Sequence, residues 1–173
     1  MIPIFAVEEL IEHARREPRQ QFVRRLGELV LVGPPELPTT DTGAWSFATQ
    51  PGISSVVTDV MALLRGSMAF GLRKQGRSGP FPNVILIGRA KSNDLCIDHV
   101  SVSKLHARVH REGSSHTLID AGSTNGTLFN GRALRPGESR ELATGATLKF
   151  GDYPFRVYSS STLHTMLKAF NGP

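Results

Sequence analysis

The sequence predicts an all-β sandwich with an α-containing N-terminal extension and a short C-terminal helix. From Val84 onward, short apolar runs recur about every eight to twelve residues with turn residues between them, a pattern typical of β-sandwiches. Seventeen glycines and eleven prolines supply the many turns that such a fold needs. Near the N-terminus the apolar spacing is helical instead. A chain of 173 residues can hold one such domain together with a substantial extension.

Residues 1–66 are expected to form the N-terminal extension, made of helices and a long loop. Its first part places apolar side chains at helical spacing, with glutamates early and arginines late to suit the helix dipole. Pro18 separates two such segments, because proline suits the first turn of a helix but not its interior. In order, the sequence predicts helices at 5–17 and 19–26, a strand at 28–32, a loop over 33–55 and a helix at 56–65.

Residues 67–160 are expected to form the β-domain, and residues 161–173 a C-terminal tail. The tail is weakly helical over 162–170 and is expected to pack against the body of the domain. Asn130-Gly131 predicts a two-residue hairpin turn, because both residues tolerate positive φ. Strands are predicted at 67–73, 84–87, 95–97, 106–110, 117–119, 127–129, 141–142, 147–150 and 155–158.

Composition argues against several classes of protein. The net charge of +5 suits anionic partners, but no run of Lys and Arg is interleaved with aromatic residues, so nucleic-acid binding is not expected. No stretch of about 18 apolar residues occurs, and the first residues lack the regions of a signal peptide, so no membrane association is expected. The single cysteine, Cys96, excludes an internal disulfide framework. We therefore expect a cytoplasmic protein.

Several loop residues have the chemistry that a phosphothreonine ligand requires. A phosphate group brings about two negative charges and three acceptor oxygens, which a guanidinium and converging hydroxyl and N–H donors can satisfy. Arg89 follows an apolar strand and lies directly behind Gly88, so a rigid element places its side chain. Ser103 lies in a turn between two apolar runs, and Thr124 and Asn125 lie in a tight glycine-flanked turn. Asn125 can both donate and accept, which suits a peptide main chain.

These residues fall into motifs that resemble the signature of the forkhead-associated (FHA) domain over about residues 81–158. The motifs are Gly-Arg at 88–89, Ser-x-x-His at 103–106, Thr-Asn-Gly at 124–126 and Asn-Gly at 130–131. Each is common alone, but the order and spacing of the set are specific. The resemblance implies a β-sandwich of about 11 strands that recognises phosphothreonine through loops at one end.

The resemblance also implies individual roles for the site residues. Arg89 and Ser103 are expected to contact the phosphate, and Lys104 to add a cationic contact. Thr124 is expected to lie near the phosphate or the threonine methyl group. Asn125 is expected to hold the peptide main chain next to the phosphothreonine.

Other residues are expected to support the site without touching the ligand. His106 would brace the loops, Gly126 would permit the turn, and Gly88 precedes the arginine. One departure from the family pattern occurs where Gly145 is followed by Ala146, since the family commonly has Gly-Asp there. That aspartate is usually structural, so its absence leaves the binding prediction unchanged.

An enzymatic function is not expected. Ser103, His106 and either Asp98 or Asp120 supply the residue types of a hydrolytic triad, but the sequence has no G-x-S-x-G pattern. The phosphate-binding pattern G-x-x-x-x-G-K-[ST] is absent as well.

Neither a metal nor another cofactor is expected. His99, His106 and His110 are the candidate ligands, and residues 106 and 110 lie on one strand face, but no carboxylate or thiol pattern completes a metal site around them.

The leading hypothesis is a phosphothreonine-peptide-binding adaptor in Ser/Thr kinase signalling, whose partner is a phosphothreonine-containing protein, a Ser/Thr kinase or its substrate. The alternative is a phospho-independent scaffold or oligomerisation protein that keeps the fold and works through residues 1–66. A third possibility combines the two, with phosphorylated Thr39, Thr40 or Thr42 occupying the site of its own chain. The oligomeric state and the identity of the partner stay open.

Overall fold

The computed structural model describes residues 2–34, 66–74 and 81–170, which form two β-sheets and three helices. The strands are β1 (Ile4–Ala6), β2 (Leu29–Gly33), β3 (Met68–Gly71), β4 (Val84–Gly88), β5 (Leu95–Cys96), β6 (Ala107–Glu112), β7 (Ser115–Asp120), β8 (Thr127–Phe129), β9 (Arg132–Ala133), β10 (Ser139–Glu141), β11 (Thr147–Phe150) and β12 (Tyr153–Ser159). The helices are α1 (Val7–Arg16), α2 (Arg19–Leu26) and α3 (Ser160–Ala169).

The two sheets differ in size. The seven-stranded sheet has the order β1-β3-β2-β12-β11-β8-β9, and the five-stranded sheet has the order β10-β7-β6-β4-β5. Neighbouring strands in the described residues run antiparallel, apart from the parallel pair β4 and β5. The prediction of a β-sandwich with a short C-terminal helix is confirmed. The described residues contain twelve strands, where the resemblance implied about eleven.

The inner faces of the two sheets form the main core. Inward residues alternate with outward ones along the strands, as in β7, where His116, Leu118 and Asp120 are buried. The centre of this core is aromatic: the ring of Phe155 lies 5.6 Å from the rings of both Phe70 and Phe150. Full burial of each such ring contributes about 1.5–3 kcal/mol.

A helical layer covers the outer face of the seven-stranded sheet and forms a second core. All five residues of β2 are buried, because Leu29 and Leu31 face the sandwich while Val30 and Val32 face the helices. Most of the apolar residues at helical spacing are buried, while Phe5, Ile11 and Val23 are only half-buried. The apolar residues of this layer are Val7, Leu10, Ala14, Phe22, Leu26, Leu163 and Leu167, packed on Val30, Val32, Ala69 and Tyr158.

The N-terminal segment begins with a strand that its periodicity did not predict. The helix predicted from Phe5 begins instead at Val7, because Phe5 and Ala6 pair with Ala69 and Met68 of β3. The edge of β3 thus satisfies backbone groups that a first helical turn would leave unpaired. At the other end of the chain α3 begins at Ser160, earlier than predicted, and is capped by the side chain of Ser159.

Strands from both sides of the predicted boundary between residues 66 and 67 share one sheet. β2 pairs with β12 on one edge and with β3 on the other. The division into an extension at 1–66, a domain at 67–160 and a tail at 161–173 stays a prediction. The predicted helix at 56–65 and most of the predicted loop at 33–55, with Trp45, lie outside the described residues.

Smaller features agree closely with the sequence. Asn130 and Gly131 both have positive φ, +50° and +78°, and connect β8 to β9, so the predicted hairpin turn is confirmed. The strand predicted at 106–110 begins one residue later, at Ala107. Each of the three helices is too short or too polar to cross a lipid bilayer.

Truncation of Phe22 to alanine will test whether the helical layer unfolds together with the sandwich. Phe22 is fully buried, and its ring meets the His164 ring edge to face at 5.2 Å. We expect Phe22→Ala to lower the free energy of unfolding by about 3–5 kcal/mol, because it leaves a cavity between α2 and α3. Urea unfolding followed by circular dichroism measures this loss.

The matched control is Gln21→Ala, one position earlier on the exposed face of α2, with an expected change within about 0.5 kcal/mol. If the layer belongs to the same cooperative unit, Phe22→Ala shifts a single transition. A separate early transition, with the sandwich unchanged, would show that the helices are an independent unit.

Candidate functional site

Three loops meet beyond the strand ends of the five-stranded sheet and carry the predicted site residues. They are the β4–β5 loop (residues 89–94), the β5–β6 loop (residues 97–106) and the β7–β8 loop (residues 121–126). Hydrogen bonds join the second loop to each of the others, so the three form one surface.

Backbone contacts hold the β4–β5 loop against the β5–β6 loop. The amide of Arg89 donates to the carbonyl of Ser103 at 2.9 Å, and the amide of Ala90 donates to the carbonyl of Lys104 at 3.1 Å. Gly88 permits this close approach, since a Cβ there would lie 2.5 Å from the carbonyl oxygen of Lys104. The predicted supporting role of Gly88 therefore has a steric reason.

The side chain of Arg89 is exposed and lightly held. Its Nε donates to the carbonyl of Val102 at 3.2 Å, which directs the guanidinium along the β5–β6 loop. Lys104 is also exposed, and neither cation has an ion-pair partner among the described residues. Both charges are therefore accessible to an anion from solvent.

The hydroxyl of Ser103 meets Thr124 across the two loops. The Thr124 amide donates to Ser103 Oγ at 2.9 Å, and the Ser103 hydroxyl donates to Thr124 Oγ1 at 3.3 Å. The structure thus brings Arg89, Ser103 and Thr124 together, as the sequence predicted. Their contact with a phosphate stays a prediction.

His106 joins the β5–β6 loop to the β7–β8 loop from below. Its Nδ1 accepts a hydrogen bond from the Ser103 amide at 3.1 Å, and its Nε2 donates to the Gly126 carbonyl at 3.1 Å. Burial lowers the pKa of His106, and the Gly126 carbonyl and the charge of Asp120 oppose this only in part. The buried imidazole is therefore neutral, and both of its nitrogens are occupied.

This geometry gives Ser103 no general base. Since both His106 nitrogens bond to backbone groups, neither can accept the proton of Ser103 Oγ. Within residues 2–34, 66–74 and 81–170, no group of three His, Cys, Asp or Glu side chains is placed to hold a metal ion.

Asp120 shapes the β7–β8 loop, a role that the sequence reasoning missed. Its Oδ1 accepts from the amides of Gly122 and Ser123 at 2.8 and 2.9 Å. Its Oδ2 accepts from the hydroxyls of Ser123 and Thr127 at 2.7 and 2.6 Å. Asp120 precedes Gly122 by two residues and Ser123 by three. This spacing is typical of an Asx-turn and could have identified the role of Asp120 from the sequence.

The charge state of Asp120 follows from these contacts. Burial by itself raises the pKa of Asp120, but the hydrogen bonds from Thr127, Ser123 and Gly122 outweigh it. The pKa of Asp120 is therefore held below its ordinary value. The carboxylate of Asp120 is ionised in the folded state.

Asn125 and Gly126 complete the turn. Asn125 is exposed, and its Nδ2 donates to the Ser101 carbonyl at 2.9 Å, which ties the turn to the β5–β6 loop. Gly126 has a φ of +76°, a conformation that glycine adopts without strain. Asn93, also missed from sequence, links the other pair of loops by donating from Nδ2 to the Lys104 carbonyl at 2.6 Å.

Comparison with known proteins identifies the region that carries these loops. Residues 85–151 match the family model of the FHA domain, so the predicted resemblance is confirmed there. Over 108 residues the chain is 30% identical to the glycogen accumulation regulator GarA of Mycobacterium tuberculosis, covering 60% of this chain and 65% of GarA. Over 72 residues it is 35% identical to an FHA domain-containing protein of Arabidopsis thaliana, covering 41% of this chain and 19% of that protein.

The match therefore spans less than two thirds of the length of these relatives. Among solved structures, the solution structure of the FHA domain of an Arabidopsis thaliana hypothetical protein covers 76% of this chain and 85% of its own. That alignment has 23% sequence identity and a TM-score of 0.48.

Two substitutions of Asp120 will distinguish how much its hydrogen bonds and how much its charge contribute to stability. Asp120→Ala removes four acceptor contacts and leaves the buried Thr127 hydroxyl unpaired, so we expect a loss of about 2–3 kcal/mol in the free energy of unfolding. In Asp120→Asn the amide keeps one acceptor oxygen and can donate to the two hydroxyls, so a smaller loss of about 1 kcal/mol is expected.

The pH dependence of stability supplies the second measurement. Since the folded-state pKa of Asp120 lies below its ordinary value of about 3.9, its ionised form stabilises the fold above that pH. This contribution is lost as the pH falls through the folded-state pKa. The stability gap between the unsubstituted chain and Asp120→Asn should therefore be constant from about pH 7 to 5 and shrink below about pH 4. A gap that widens on acidification would contradict this assignment.

Proposed function

We propose that the FHA domain of this chain binds phosphothreonine peptides and acts as an adaptor in Ser/Thr kinase signalling. One observation carries the proposal: the exposed Arg89 guanidinium lies in the same loop surface as the bonded Ser103 and Thr124. A guanidinium next to convergent hydroxyl and N–H donors is the combination that a phosphate dianion requires.

The contacts within the free site support binding of an anion. Ser103 Oγ and the Thr124 amide satisfy each other in the absence of a ligand, so no polar group of the pair is left unsatisfied. A phosphate oxygen can replace this neutral bond with stronger, charge-assisted ones. Lys104 adds a second exposed cation in the same loop.

Asn125 has the capacity to hold a peptide next to the phosphate. One N–H of its amide bonds to the Ser101 carbonyl, which leaves the other N–H and Oδ1 for a ligand. Those two groups match the carbonyl and N–H of an extended main chain. The proposed ligand is therefore a peptide segment and not free phosphate.

The proposed partners are a phosphothreonine-containing protein and a Ser/Thr kinase or its substrate. The relative GarA is named a regulator, which supports an adaptor or regulatory role over a catalytic one. The expected cytoplasmic location stays a prediction, which microscopy of the tagged chain would check.

Arg89→Ala should remove most of the phosphopeptide affinity. A phosphothreonine peptide library first identifies a ligand, and fluorescence anisotropy then measures its dissociation constant. One lost charge-assisted contact of about 1.5–3 kcal/mol predicts weakening of about 10- to 150-fold. Arg89→Lys should restore only part of the affinity, because an ammonium cannot make the two parallel bonds of a guanidinium.

Arg108→Ala is the matched control, since Arg108 is an exposed arginine of β6 that lies outside the three loops. It should leave the affinity within about twofold. A peptide with glutamate in place of phosphothreonine should not bind measurably, because a carboxylate has less charge and fewer oxygens. Full affinity in Arg89→Ala would remove that residue from the proposed site.

The scaffold alternative makes the opposite prediction. A partner captured equally well before and after phosphatase treatment, and equally well by Arg89→Ala, would favour phospho-independent assembly. The same result together with no peptide enriched from the library would overturn the proposed function.

A further inference from the structure

The helical layer carries a positively charged cleft between α2 and α3. Two shallow pockets of ≈ 560 and ≈ 550 Å³, both open to solvent, adjoin here, and Arg19 lines both. We call them together the α2–α3 cleft, lined by Arg19, Gln20, Val23, Arg24 and Ser161 in one pocket and by Arg19, His164, Thr165, Lys168 and Ala169 in the other. None of these residues belongs to the loop site described above.

The lining cations of the cleft are not neutralised. Neither α2 nor α3 contains an aspartate or a glutamate. Arg19, Arg24 and Lys168 are exposed, and none of them has an ion-pair partner in the part of the chain that the structure describes. Arg19 and Arg24 line one pocket, and Arg19 and Lys168 line the other, so each holds two like charges that raise the local concentration of anions.

Other arginines of the helical layer differ from those of the cleft because they have ion-pair partners. On α1, Arg15 and Arg16 both pair with Glu12. Arg25 of α2 pairs with Glu17 and lies over the Phe5 ring, away from the cleft lining. The other arginines of the helical layer thus each have a carboxylate partner, whereas the cations of the cleft have none among the described residues.

The walls of the cleft are fixed by packing. The Phe22 and His164 rings meet edge to face at 5.2 Å, and His164 Nε2 donates to the Glu17 carbonyl at 3.1 Å. The Ser160 hydroxyl donates to the Gly27 carbonyl and holds the start of α3 against the end of α2. A preformed cleft spares a ligand the cost of ordering it.

We propose that the α2–α3 cleft binds an acidic segment of a partner protein. The cations suit carboxylates, and Gln20, Ser161 and Thr165 add neutral donors and acceptors for a main chain. No Phe, Tyr or Trp side chain lines the cleft and the His164 ring is buried, so the cleft lacks the stacking surface that single-stranded nucleic acids use. This inference does not depend on the phosphothreonine proposal, because it uses a different surface.

A fluorescein-labelled hexaglutamate peptide is the probe, titrated with the full chain at low ionic strength and followed by fluorescence anisotropy. The cleft variant is the triple substitution Arg19→Glu, Arg24→Glu, Lys168→Glu, for which we expect binding at least about tenfold weaker. The matched control is Arg108→Glu, Arg111→Glu, Arg135→Glu, which changes the net charge equally on exposed residues outside the cleft. The control should keep the affinity within about threefold.

Equal weakening by both triple variants would overturn the proposal, since net charge alone would then explain binding. So would no measurable binding to the unsubstituted chain. Tighter binding of a single-stranded oligothymidylate, lost in the cleft variant, would overturn it in favour of a nucleic-acid site. Circular dichroism checks the fold, and if the glutamate variant is unfolded, Arg19→Ala, Arg24→Ala, Lys168→Ala gives the same test. Hexaglutamate binding that is lost in Arg89→Ala but kept in the cleft variant would place the peptide at the loop site and overturn the proposal.

Discussion

The position of the candidate site depends on one buried neutral imidazole. His106 accepts from the Ser103 amide and donates to the Gly126 carbonyl, so a single ring fixes the distance between the two loops that carry Ser103 and Thr124. The Phe150 ring packs edge to face against it at 5.6 Å and ties it to the aromatic core. Protonation of His106 Nδ1 would place an N–H donor against the N–H of Ser103 and break this contact. Burial lowers the pKa of His106 and so keeps the ring neutral, which the loop geometry requires.

The two layers around the seven-stranded sheet divide the surface of the molecule. The sandwich core holds the loop site at the strand ends, while the helical layer uses the outer face of the same sheet. β2 belongs to both cores, since alternate residues face opposite sides. No residue that lines the α2–α3 cleft lies in the three loops, so the cleft and the loop site are separate surfaces.

The sequence predicted those features that a local motif or a hydrophobic period marks directly. The motifs led to Arg89, Ser103 and Thr124, which the structure brings into one loop surface, while their contact with a ligand stays a prediction. Helical spacing predicted most of the buried faces of the helices. Asp120 was missed although its partners Gly122 and Ser123 follow it directly in the sequence. Asn93 was missed because its partner, the Lys104 carbonyl, is set by how the two loops pack together. β1 was missed because three residues are too few to show the alternation of apolar and polar side chains that marks a strand. Its partner β3 also lies far along the chain. The shared helical core could not be predicted, since an amphipathic face does not identify what covers it.

The free loops also explain how the proposed site would distinguish a phosphorylated threonine from an unmodified one. Ser103 and Thr124 already bond to each other, and a neutral bond of this kind contributes about 0.5–1.5 kcal/mol. An unmodified hydroxyl would only exchange one neutral bond for another, so it gains little. A phosphate oxygen forms charge-assisted bonds of about 1.5–3 kcal/mol and also pairs with Arg89. A ligand must therefore replace the hydrogen bond between Ser103 and Thr124 with a stronger interaction. A charged phosphate can do so, whereas a neutral hydroxyl cannot.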